Sequence, residues 1–102
     1  MSIHVEQQRS HSGPREARFR ALWDEIAQVG WTEHGYVRYG WSVEDLTLRE
    51  WFCRQAVQRD LRLERDGNGN LFAWWETAAA TSAGAVLTGS HFDSVPYGGG
   101  YD

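Results

Sequence analysis

Between Arg65 and Leu71 the chain carries Asp66-Gly67-Asn68-Gly69-Asn70, and no other stretch constrains the fold as much. Gly and Asn tolerate positive φ, so the run is a strong turn signal. The residues before it have a period of two. Leu61, Leu63 and Arg65 alternate with Arg62 and Glu64, which predicts a strand, and Leu71 to Glu76 reads as the strand that returns.

Upstream the period is helical. Phe19, Leu22, Trp23, Ile26 and Val29 recur at three- and four-residue steps, the stripe of a helix. Gly13-Pro14 opens it, since a first-turn proline gives up no needed N–H, and Gly30 is a suitable stop. Ser42-Val43-Glu44-Asp45 has the capping-box form, with Ser as N-cap and an acid three residues later. The second helix is expected to run to about Arg59 and to bury Leu48, Trp51, Phe52 and Ala56. Residues 31 to 41, WTEHGYVRYGW, read as an ordered loop, and residues 77 to 84 as a small polar one. Ala85-Val86-Leu87-Thr88 is a short apolar run that suits a buried strand. Residues 1 to 12 are polar and aperiodic, which predicts a loose N-terminal arm. Residues 13 to 102 are then the folded part.

Composition narrows the class. With 102 residues, 41% hydrophobic and 24% charged, the chain allows one globular domain at most. A net charge of -4 argues against nucleic acid and anionic membrane surfaces as partners. No apolar run approaches a membrane span. The N-terminus lacks the apolar core of a signal peptide, so a cytoplasmic setting is expected. Cys53 is alone and forms no internal disulfide; a small buried side chain is expected there. Trp23, Trp51, Trp74 and Trp75 are expected to pack the core, leaving Trp31 and Trp41 as candidates for an exposed patch.

The chemistry gathers at the end, in GSHFDSVPYGGGYD, residues 89 to 102. A strand that leads into Gly-Ser-His-x-Asp delivers side chains to the carboxyl edge of a sheet, where open α/β folds place their sites. His91 and Asp93 are two apart, so in extended chain they project to the same side. An imidazole can ligate a metal through one nitrogen while a carboxylate orients the other. Gly98-Gly99-Gly100 permits a backbone path that returns Asp102 toward His91. Such a donor set suits zinc, manganese, cobalt or nickel, and spacing alone does not choose among them. It is too small for a complete catalytic site. A flexible tail or a small non-catalytic binding module remains an alternative on these residues alone.

The same stretch resembles the metal-binding signature of the two-metal amidohydrolases that include allantoate amidohydrolase and N-carbamoyl-L-amino-acid hydrolase. These belong to the aminoacylase and zinc-exopeptidase superfamily. The match runs through Gly89, Ser90, His91, Asp93, Ser94, Gly98, Gly99 and Asp102, with further likeness in Ser42 to Phe52 and Asp66 to Ala73. The resemblance implies an α/β fold: the N-terminal part of a zinc-exopeptidase-like catalytic domain, with two helices, a β-hairpin and a further strand leading to a metal loop. It implies two divalent ions, His91 as a ligand of one, Asp102 as the bridging carboxylate and Asp93 as the acidic residue after the histidine, classed as catalytic and physically suited to orienting the imidazole. The implied substrate is a small carbamoyl or ureido compound, such as allantoate or an N-carbamoyl-L-amino acid, whose C–N bond is attacked by metal-activated water. A peptidase or aminoacylase of the same superfamily is the alternative. In such enzymes the general base and remaining ligands come later, and the whole enzyme is a homodimer. The chain is therefore expected to be an N-terminal piece, inactive by itself.

Overall fold

The computed structural model describes residues 2–78 and 84–101, with side chains from Gly13 onward. In order they form α1 (Ser2–Ala27), β1 (Trp31–Thr32), β2 (Gly35–Tyr36), α2 (Val43–Gln58), β3 (Arg62–Arg65) and β4 (Leu71–Trp74). α1 begins upstream of the expected start and takes Pro14 into its interior. It includes most of the stretch expected as an arm, whose side chains lie outside the described residues.

α1 ends where the chain can satisfy its last carbonyls. Gly30 takes φ +75, a left-handed conformation that glycine adopts without penalty. Arg38 then reaches back: Nε donates to the Val29 carbonyl at 2.7 Å and Nη2 to that of Ile26 at 2.8 Å. The Tyr36 hydroxyl donates to the Ala27 carbonyl. A cation at a helix C-terminus also complements the macrodipole. Partial burial pulls the Arg38 pKa below its ordinary value, with Tyr36 opposing, and an arginine still stays charged.

The loop expected over residues 31 to 41 contains a small antiparallel pair, Trp31 opposite Tyr36 and Thr32 opposite Gly35. α2 starts at Ser42, whose Oγ accepts from the Asp45 N–H at 3.4 Å. The reciprocal half of the box is altered: Asp45 Oδ2 accepts from the Trp41 N–H at 2.9 Å. Asp45 is buried and pairs with Arg49 Nε at 3.1 Å. Arg49 lies 4.3 Å over the Trp41 ring and donates to the Gly69 carbonyl, tying the helix cap to the hairpin turn.

β3 and β4 pair antiparallel, with Arg62 opposite Trp74 and Arg65 opposite Leu71. The turn between them is built by one side chain. Asp66 Oδ1 accepts from the Asn68 and Asn70 N–H groups at 3.0 and 2.8 Å, and Oδ2 accepts from Asn70 Nδ2 at 2.7 Å. β4 is shorter than the expected run to Glu76, and Glu76 instead holds Arg62 at 2.7 Å across the open end.

The core sits between α2 and this hairpin, where Leu48 is fully buried and Ala56 nearly so. Trp51 and Phe52, expected on the same face, are half-buried. Burying a leucine contributes about 1.5–3 kcal/mol. Cys53 is half-buried and free. Trp31 and Trp41 are exposed as expected, but so is Trp23, and Trp75 is 81% exposed and does not pack the core. It lies just past the end of β4, where the ladder no longer fixes its side.

Ala85 to Thr88 is not a strand. It pairs with no other strand among the described residues, and Val86 is 99% exposed. Apolar β-branched composition permits a strand, but only a neighbour with free backbone groups makes one. Of the loop expected over 77 to 84, residues 79–83 lie outside the described residues.

Candidate functional site

Residues 89 to 101 are held along the segment from Tyr36 to Arg38. Ser94 N–H donates to the Arg38 carbonyl at 2.9 Å. Its Oγ accepts from the Arg38 N–H at 3.1 Å and donates to the Tyr36 carbonyl at 3.4 Å. Further on, the Tyr36 N–H donates to the Gly98 carbonyl at 2.9 Å, an isolated bridge between the two segments. Between these anchors Val95-Pro96-Tyr97-Gly98 makes a turn closed by Gly98 N–H to Val95 O at 3.0 Å. Proline at its second position and φ +59 at Tyr97 are type II features.

The glycines behave differently from expectation. Gly98, Gly99 and Gly100 are not among the residues at positive φ; Tyr97 is. The conformational freedom is used at Gly35 instead, at φ +122. A Cβ there would lie 2.5 Å from the Tyr97 carbonyl oxygen and 2.9 Å from that of Gly98, so glycine is what lets the two segments approach.

His91 and Asp93 come together. Phe92, between them, is half-buried and packs edge-on against Phe52 of α2, with ring centroids 5.9 Å apart. Alternation then turns both neighbours outward. His91 Nδ1 lies 2.8 Å from the Asp93 carbonyl oxygen and 3.2 Å from Asp93 Oδ1. A carbonyl oxygen only accepts, so Nδ1 carries the proton, and in the neutral ring Nε2 keeps its lone pair. Both side chains are more than half exposed, so the contact between imidazole and carboxylate contributes little by itself. The backbone carbonyl is the acceptor that fixes the ring.

This donor chemistry fits one metal ligand: a neutral imidazole, oriented through one nitrogen and open at the other. The described residues hold no group of three or more His, Cys, Asp or Glu that could bind an ion. Asp102, expected as the bridging ligand, lies outside the described residues. Reasoning from sequence missed Tyr36, Arg38 and the role of Ser94. YVRYG has no periodicity to mark it, whereas Ser94 sat within the quoted motif and signalled only family likeness.

The chain is similar to proteins named as hydrolases. One, named "Putative hydrolase" in Mycolicibacterium smegmatis, is 38% identical over 89 residues, which are 86% of this chain and 20% of that protein. A ureidoglycolate hydrolase of Oryza sativa subsp. japonica is 39% identical over 62 residues, 61% of this chain and 13% of that protein. A ureidoglycolate hydrolase of Arabidopsis thaliana is 34% identical over 59 residues, 58% and 12% respectively. The chain spans about a fifth of the length of the first of these relatives and less of the other two. No protein-family model and no solved structure matches it. No described helix is long and apolar enough to cross a membrane.

Proposed function

We propose that residues 89 to 102 contribute ligands to the metal centre of a hydrolase that cleaves C–N bonds of ureido or carbamoyl compounds. The surrounding elements would be the N-terminal part of a zinc-exopeptidase-like α/β catalytic domain. The observation that carries the proposal is the fixed imidazole: Nδ1 faces two acceptors and Nε2 is left open. Similarity to two proteins named ureidoglycolate hydrolase favours a ureido substrate over a peptide.

In this reading His91 Nε2 holds one of two divalent ions, which would be zinc, manganese, cobalt or nickel. Asp102 supplies the second donor. Bound divalent ions would polarise a carbonyl group and lower the pKa of water. Asp93 would act through the ring, which its carboxylate and carbonyl keep oriented.

Titration of the isotope-labelled chain with Zn²⁺ tests the ligand. The His91 Nε2 resonance should shift first and furthest, and His91→Ala should abolish that binding. Stronger binding at His34, with His91 unmoved, would overturn the reading. Asp93→Ala should weaken binding by about tenfold, the low end of the 10–100-fold range for such partners, because the backbone carbonyl remains. Isothermal titration calorimetry measures that loss.

A further inference from the structure

We infer that Ser94 is a positioning residue, which transmits the fixed end of α1 to the His91 ring through a single peptide group. The Asp93 carbonyl and the Ser94 N–H belong to the same peptide. Its oxygen receives the His91 Nδ1–H at 2.8 Å, and its N–H donates to the Arg38 carbonyl at 2.9 Å. Holding one end of a planar group aims the other. The same chain of aligned hydrogen bonds polarises each member, which strengthens the contact to the imidazole.

The far end of that chain is well fastened. Arg38 grips the Ile26 and Val29 carbonyls and stacks its guanidinium 4.3 Å over the Tyr36 ring. The Ser94 hydroxyl then locks the register, since it accepts from the Arg38 N–H and donates to the Tyr36 carbonyl. Without the hydroxyl only one of three Ser94 bonds remains. The peptide can rock, and the ring loses the nearer of its two Nδ1 acceptors, keeping only Asp93 Oδ1 at 3.2 Å. Threonine keeps the hydroxyl and should keep the function.

The consequence for metal binding rests on the proposed function; the tautomer does not. Nitrogen NMR of His91, at a pH where the ring is neutral, reads the tautomer directly. The wild-type chain should be mainly Nδ1–H. Ser94→Ala should raise the Nε2–H share measurably, and Ser94→Thr should restore the wild-type ratio. Thr47→Ala, which removes a hydroxyl on the exposed side of α2, should change nothing. If Ser94→Ala does not fold, Ser94→Cys, with similar volume and a weak donor, carries the same test. A wild-type tautomer in the folded alanine or cysteine variant overturns the inference. Zn²⁺ titration separates the two readings. With the positioning role intact, Ser94→Ala should bind about tenfold more weakly at His91. A tautomer that follows Ser94 as described, with His91 unmoved at millimolar Zn²⁺ in the wild type, removes the metal reading and leaves the positioning role. Zn²⁺ bound equally by wild type and alanine variant, with an unchanged tautomer, removes the positioning role alone.

Discussion

The unit of α2, β3 and β4 and the segment from Gly84 to Tyr101 satisfy their backbones in opposite ways. The first is self-contained. Its helix is capped by residues on either side of its start, its strands pair with each other, and its turn is tied by Asp66. The second has no ladder of its own and borrows partners from residues 56 to 62 positions upstream. Local bonding makes a region fold wherever it is placed. Borrowed bonding makes the order of the candidate site depend on α1 and on the β1–β2 pair. The site is therefore the part of the molecule that can be lost while the rest stays folded.

Truncating the core offers the largest test of that contrast. Leu48 is fully buried between α2 and the hairpin, and Leu48→Ala should cost about 2–5 kcal/mol. Urea denaturation should show the loss, with the β3–β4 amides exchanging early. Val86→Ser, at a 99% exposed position, should fall within about 0.5 kcal/mol of wild type. Equal effects at the two positions would break the comparison, because they would require Val86 to be buried in solution.

Much of the self-contained unit was legible in the sequence. The Ser42 cap, the α2 span, the Asp66–Asn70 turn and the alternation of Leu61 to Arg65 are local signals, with cause and effect a few residues apart. Val86 had the composition of a strand, but pairing depends on a neighbour that composition does not name. That His91 and Asp93 share one side was legible from alternation. The reason they stay there was not, since Phe92 on Phe52 and Ser94 on Arg38 are contacts between distant parts of the chain. The capping box shows how a local rule can be redirected. Asp45 was expected to bond back to Ser42 and bonds to Trp41, because Arg49 and Trp41 stack beside it.

A smaller perturbation should separate the two regions directly. Gly35 sits at φ +122, with no room for a Cβ against the Tyr97 carbonyl. Gly35→Ala should cost about 1–3 kcal/mol in backbone strain, and the cheapest relief is to let residues 94 to 98 come away. Hydrogen exchange should then find the Tyr36 amide, which donates to Gly98, unprotected. The amides of the β3–β4 ladder should exchange as before. Loss of protection in both places would mean that the two regions open as one cooperative unit.

The smallest effect is one of pH, and it should belong to the self-contained unit. Hydrogen bonds from the Asn70 side chain and backbone, with those of Asn68 and Gly69, lower the Asp66 pKa below its ordinary value of 3.8. Glu76 is lowered in the same direction by Arg62 at the other end of the hairpin. A carboxylate whose folded pKa is depressed adds stability that is fully present above its unfolded value. That stability is lost as pH falls through the folded value. The hairpin should therefore be insensitive to pH above about 5 and loosen below 3.8. Both acids are solvent-exposed, so the change should be small and should shrink further in high salt. The Asn68 and Asn70 amide shifts should titrate together with a midpoint below 3.8, and Asp66→Asn should remove that transition. The Tyr36 amide, whose acceptor is the Gly98 carbonyl and not a carboxylate, should not follow this titration. A midpoint at or above 3.8 would mean that the turn is not closed by Asp66 in solution, and the hairpin would then lose its claim to fold on local bonds.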